Sequence, residues 1–321
     1  MNKASVEKLL REYERMCAEE TCYFLAFEQY VKKAGETWDR MKVGSMPVEK
    51  QIYFMVMTLE MFVRPFKLYE AFKSDDMAYL DGVLFERAQM KQAGNILGGG
   101  QELYSFNIMP DLLAAGMYDR IGFILPEENG MCGRPFASSA IINLFMAIWY
   151  RNDEFLSYAL AGARKQLTKK NNLLIEAYIE YLVAIAEHNP TEATVQLENI
   201  CKGINRSKEF GATAYEKSFA ILAHAMYNLS QYVYDGEMAD AVDMPEAENF
   251  CQSLAQWQKS HPQQRQIRYI YPPKLDIMNR LMRCTPPRMH LILSRQGKMV
   301  QDVSRFKSEL AALIGDGRAV L

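Results

Sequence analysis

The chain has 321 residues, 49% of them apolar and 24% charged, enough for one large or two ordinary domains with a substantial core. Its formal charge of −2 argues against bulk electrostatic attachment to nucleic acid or to a membrane surface. No apolar run reaches the roughly 18 residues that a membrane span needs.

Taken in order, the chain reads as helix after helix. The start, MNKASVEKLLREYERMCAEE, is amphipathic and dense in both charges, without the apolar core of a secretory signal, so a cytoplasmic protein is expected. Leu9, Leu10, Tyr13, Met16 and Cys17 fall at helical spacings, and a first helical stretch is predicted from Ser5 to about Lys33, with Gly35 as its stop. Pro47 opens a second helix, QIYFMVMTLEMFVRPF, apolar nearly all round and therefore central, which Pro65 ends or kinks. Asp75-Asp76 caps a third, MAYLDGVLFERAQMKQAGNIL. Gly98-Gly99-Gly100 is the strongest internal break and reads as a flexible linker. A short helix follows around Pro110–Tyr118, and the stretch from Leu125 to Phe136 holds two Pro and two Gly in turn chemistry.

Residues Ala137–Ile204 organise the rest. Two helical hairpins follow one another. The first runs ASSAIINLFMAIWY, a turn at Arg151-Asn152-Asp153, then EFLSYALAGARKQL. The second runs LLIEAYIEYLVAIAEH, a turn at Asn189-Pro190, then TEATVQLENICKGI. The second helices start on Glu154 and Glu192, and Asn152 and Asn189 stand 37 positions apart, a helical-repeat spacing. Beyond them come the helix AYEKSFAILAHAMYNLSQYVY, an acidic run from Asp235 to Glu248, and the helix NFCQSLAQWQK. The pairs Pro272-Pro273 and Pro286-Pro287 are each expected to precede a short helix, and a last helix is expected over roughly Val300–Ile314. YFMVM and MHLILS have strand-like composition, but short apolar runs do not separate strand from buried helix, and helix throughout is the expectation. The fold class is therefore all-α, with helical hairpins packed as a repeat-like bundle. It is divided into an N-terminal subdomain over residues 1–124 and a C-terminal one over 137–321, unless the two form one continuous domain.

Catalytic and metal motifs are missing. His188, His224, His261 and His290 form no H-E-x-x-H or Glu-x-x-His set. His188 suits a helix C-terminus and His224 a packed core. Gly98–Gly100 lacks the Lys-Ser/Thr of a phosphate loop, and the S-x-x-K match at Ser304–Lys307 lacks its partner motifs. Cys17, Cys22, Cys132, Cys201, Cys251 and Cys284 include no C-x-x-C pair and read as reduced, small apolar residues. No catalytic residue, cofactor or metal is predicted, and an enzymatic reading would have to assemble Glu60, Glu176, Glu180 and His188 from distant places.

Two charge features stand out. Asp235, Glu237, Asp240, Asp243, Glu246 and Glu248 are six acids in fourteen residues with no Lys or Arg. They read either as a solvated linker or as an anionic patch that meets a basic partner. Conversely, Lys259–Lys307 carries eleven Lys/Arg against two Asp.

The segment ASSAIINLFMAIWYRNDEFLSYAL with EAYIEYLVAIAEHNPTEATVQLENICKGI resembles the all-helical immunity family numbered forty-nine of bacterial polymorphic-toxin systems. The resemblance lies in Ser138-Ser139 at a helix start, Trp149 near its end, the polar turn Arg151–Glu154 and the acidic, aromatic helix around Tyr178–Tyr181. The helix around Phe85–Leu97 is similar as well, so about half of the chain is covered. The resemblance implies a cytoplasmic inhibitor that binds one cognate toxin, often a nuclease, and performs no chemistry; from charge and hydropathy, no direct contact with nucleic acid or membrane is expected. The acidic run Asp235–Glu248 is the candidate toxin-binding segment. A helical-repeat adaptor or regulator for a peptide or another chain is the alternative that shares every feature but the resemblance.

Overall fold

The structure, a computed structural model, describes residues 1, 3–98, 107–133, 135–207, 217–261, 267–294 and 299–315, without the side chains of residues 60, 61, 95, 97 and 98. Its helices in chain order are α1 (Lys3–Glu19), α2 (Phe27–Arg40), α3 (Val48–Met55), α4 (Met61–Ser74), α5 (Met77–Gly98), α6 (Ile108–Ala114), α7 (Ile121–Ile124), α8 (Ala137–Tyr150) and α9 (Asp153–Leu167). They continue with α10 (Leu173–Ala186), α11 (Pro190–Arg206), α12 (Ile221–Val233), α13 (Glu237–Asp240), α14 (Gln252–Ser260), α15 (Asp276–Arg283) and, at the end, α16 (Val303–Gly315). Among the described residues the β structure is one antiparallel hairpin of β1 (Leu291–Leu293) and β2 (Met299–Gln301), so the fold is an all-α bundle. Among the same residues no helix is long and apolar enough to cross a membrane.

The helices build two compact units from interleaved segments of the chain. The first takes residues 1–8, 100–116 and 130–262; the second takes 9–99, 117–129 and 263–321.

In the first unit α8 pairs with α9, α10 with α11, and α10 also lies against α8, so the two hairpins stack side by side. Gly203 allows the close approach of α11 to α10: a Cβ there would stand 2.7 Å from the Leu174 Cα. Helix α12 packs on α6 and α11. Its Asn228 donates to the Leu113 carbonyl at 3.0 Å, and Gln258 of α14 donates to the Ala114 carbonyl at 2.9 Å. Gln258 thus pairs an end carbonyl of α6, and Asn228 adds a second donor to the Leu113 carbonyl, which also accepts the Gly116 amide at 3.0 Å.

In the second unit α3, α4 and α5 pack together, with α15 and α16 against α3 and α5. The first helix stops at Glu19, earlier than the periodicity suggests, and α2 runs straight through Lys33-Ala34-Gly35. The break is held by tyrosines: Tyr13 donates to the Phe24 carbonyl at 2.8 Å and meets Tyr30 at 2.7 Å, while Tyr30 accepts the Phe24 amide at 2.8 Å. Side chains thus take over the backbone groups a continuous helix would have paired. The helix also continues through Pro65, and a π-helical turn at Val56–Glu60 lies just upstream of it. A widened turn next to a proline is a recognised way to absorb the lost N–H and the ring's clash.

The strand-like runs divide. YFMVM is helical, whereas MHLILS supplies β1, and the last helix begins at Val303 because Met299–Gln301 pair with β1. Pro272-Pro273 precedes a 3₁₀ turn and α15 as expected; Pro286-Pro287 leads to extended chain instead. Asp76 caps α5 through the Tyr79 amide at 3.0 Å. The linker expected at Gly98–Gly100 lies outside the described residues beyond Gly98.

Candidate partner-binding face

The two hairpin turns of the first unit repeat bond for bond. Helix α8 closes with Arg151 in the left-handed region (φ +50), and α10 with His188 there (φ +55). The next amide then reaches back along the helix, Asn152 to the Ala147 carbonyl at 3.1 Å and Asn189 to the Ala184 carbonyl at 2.9 Å. Each asparagine then caps the following helix, accepting the Phe155 amide at 3.0 Å and the Glu192 amide at 3.1 Å. Every one of these pairs is offset by the same 37 positions. Such a turn normally places glycine at the left-handed position, where an L side chain costs roughly 1–2 kcal/mol. Arg151 and His188 hold it with long, exposed side chains.

Those two side chains flank a groove of about 460 Å³ that crosses the ends of α8, α10 and α12. Its walls include Ile148, Ile185, Val233 and Met238, and its exposed lip carries Arg151, Asp153, His188 and Asp235. Tyr234 anchors the α12 end by donating to the Ile185 carbonyl at 3.1 Å, and its ring lies 5.8 Å from that of His188. From α8 and α12, Phe145, Trp149 and Tyr232 form a stack, with centroids 5.6 and 4.7 Å apart, that ends on Tyr232, 48% exposed.

Asp235 also begins the acidic run. The segment is a strap tied to the unit, not an extended linker. Ala239, Val242 and Pro245 are buried, while Asp235, Glu237, Asp240, Asp243, Glu246 and Glu248 are all exposed. The Asp243 amide donates to Thr194 Oγ1 at 3.0 Å and the Glu246 amide to the Glu198 carboxylate, both acceptors on α11. Gln231 donates to the Ala239 carbonyl at 2.8 Å. Among the described residues, Asp240 has an ion-pair partner in Lys259 at 3.2 Å, and the other five acids face solvent without one. Helix α10 adds to the field: Glu180 is pushed above the usual carboxylate range by burial and then by the Glu176 and Glu192 carboxylates. Over residues 171–250 the chain carries thirteen acids against four Lys/Arg, a net of −9.

The other singled-out residues sort differently. His224 is fully buried, accepts the Cys251 amide at 3.0 Å and stacks on Phe250, a core role. All six cysteines are free thiols, and Cys132, Cys201, Cys251 and Cys284 are buried. Among the described residues no three His, Cys, Asp or Glu side chains come together to hold a metal ion. Glu176 and Glu180 occupy successive turns of α10 but do not line the groove with His188, and the Glu60 side chain lies outside the described residues.

Sequence reasoning missed one constellation. In the second unit Lys67 and Glu86, 1% and 0% exposed, pair at 2.9 Å. Glu86 also accepts the Arg268 and Tyr269 amides at 2.7 and 3.3 Å, and Glu70 accepts the Tyr79 and Tyr269 hydroxyls, each at 2.8 Å. The network fastens the segment before α15 onto α4 and α5. Lys67 and Glu86 stand among other charged residues of α4 and α5, so neither helix's sequence marks the pair.

No family model, curated protein or solved structure matches the chain.

Proposed function

We propose that the protein is an immunity protein: it binds a cognate bacterial toxin in the cytoplasm and blocks the toxin's active site, with no catalysis of its own. The observation that carries this reading is the strap at Asp235–Glu248. It spends its apolar residues on anchoring and presents six carboxylates outward, five of them without a basic partner among the described residues. An anchored and largely unpaired anionic surface is suited to a basic partner, and many toxins that act on nucleic acid carry basic active-site faces. The resemblance of Ala137–Gly203 to an immunity family points the same way.

The test is protection. Co-expression with candidate toxin domains encoded nearby should restore growth for one of them, with a stoichiometric complex on purification. If no candidate is neutralised, and pull-downs return several housekeeping proteins instead of one partner, the helical-repeat adaptor reading replaces this one. The 37-residue recurrence of the hairpin turns is the observation that favours that second reading.

A further inference from the structure

We propose that the groove at the two hairpin turns is an anchor pocket for a single arginine or lysine side chain projecting from the partner. The inference rests on the immunity reading for the partner's identity alone. Three observations carry it. The groove has apolar walls at Ile148, Ile185, Val233 and Met238 beneath a charged lip, the arrangement that suits a long aliphatic stem ending in a charge. At the lip Asp153 and Asp235 outnumber the one fixed cation, Arg151, and the wall from Ile185 to Met238 belongs to the stretch 171–250 of net −9. Asp235 is at once a groove residue and the first acid of the strap, so a basic surface laid along the strap would carry its side chains directly over the groove. A charged head at a lip carrying carboxylates forms charge-assisted hydrogen bonds, and anchors of this kind in a pocket dominate many interfaces.

The probe is the capped tripeptide acetyl-Gly-Arg-Gly-amide, compared with the same peptide carrying norleucine or glutamate at the centre. The reporter is the Met238 methyl resonance of the full-length protein labelled at methionine, assigned with Met238→Leu. The arginine peptide should move that resonance saturably, with a midpoint at least about fivefold lower than norleucine's, and the glutamate peptide should not move it. Asp153→Asn with Asp235→Asn should raise the midpoint at least about fivefold, and Arg151→Gln should lower it. Equal response to arginine and norleucine, or a Met238 resonance that the arginine peptide leaves in place, overturns the proposal. The protection assay separates the two ideas. If the doubly substituted protein still protects cells fully and Met238 is unmoved, the pocket fails and the immunity reading stands. If no toxin is neutralised yet Met238 titrates as described, the immunity reading fails and the pocket stands.

Discussion

His224 shows how burial turns one side chain into a sensor of acidity. Burial, then the positive charge of the amino terminus, lowers its pKa from 6.5 to about 3. The folded protein therefore keeps the ring neutral where an unfolded chain would bind a proton. Stability from this residue is constant above pH 6.5 and is lost as pH falls from there toward 3, because the unfolded state takes up the proton. His224→Phe should cost about 1–3 kcal/mol at pH 7, since the Cys251 amide loses its acceptor inside the core. Between pH 7 and pH 5 that deficit should shrink by about 2 kcal/mol, which urea unfolding at both values would read. A deficit that stays constant over the range would assign the pH response elsewhere. Arg151 and His188 make a different residue-scale case, since their left-handed backbone is a local cost carried by side chains that reach the groove. Arg151→Gly and His188→Gly should each leave stability unchanged or raise it by up to about 1 kcal/mol in thermal melts, despite the added freedom of the unfolded chain. A marked loss would mean that the side chains themselves hold the turns together.

Among the elements, α4 and α5 are joined by a buried ion pair. Lys67→Met alone should strand the Glu86 carboxylate in the core and cost about 3–5 kcal/mol, whereas Lys67→Met with Glu86→Gln should recover most of that, because the amide oxygen can still accept from Arg268 and Tyr269. Denaturant midpoints for both singles and the double form the cycle, and a double variant no better than Lys67→Met would place the loss in packing instead. The same elements show what is legible in sequence. The two hairpins announced themselves because their turns are made of local chemistry: Asn152 and Asn189 cap the next helix within three residues. The α1–α2 break did not, because Tyr13 and Tyr30 reach Phe24 from positions that local rules do not connect. Lys67 and Glu86 belong to two helices, so nothing in either run says that they meet. The strand at Leu291–Leu293 depends on pairing with Met299–Gln301, and taken alone it reads equally as buried helix.

For the molecule as a whole, the near-neutral net charge conceals a division along the chain. Residues 171–250 sum to −9, while Lys259–Lys307 carries eleven basic residues and two acids. The six acids of the strap were visible in the sequence as a cluster; what composition did not distinguish was a solvated linker from an anchored surface. That distinction rests on Ala239, Val242 and Pro245 being buried and on α11 accepting the Asp243 and Glu246 amides. The compact units, assembled from interleaved segments, depend on contacts between residues far apart in sequence and have no local signature. The anchored strap sharpens the functional test, because its backbone bonds do not use the carboxylates of Asp240, Asp243 and Glu246. Changing these to Asn, Asn and Gln should leave stability within about 0.5 kcal/mol, the exposed Asp240–Lys259 pair contributing little. Association with the toxin identified by the protection assay should nevertheless slow by about tenfold at low ionic strength, because complementary charge acts chiefly on the encounter rate. The gap should narrow as salt screens the field, since exposed charges lose their reach beyond about 8–10 Å near physiological ionic strength. Stopped-flow rates at two ionic strengths, for wild type and the triple variant, read both effects. If both proteins associate at one rate with one salt dependence, the strap is not the contact surface, and the exposed faces of the α8–α11 hairpins become the place to look for it.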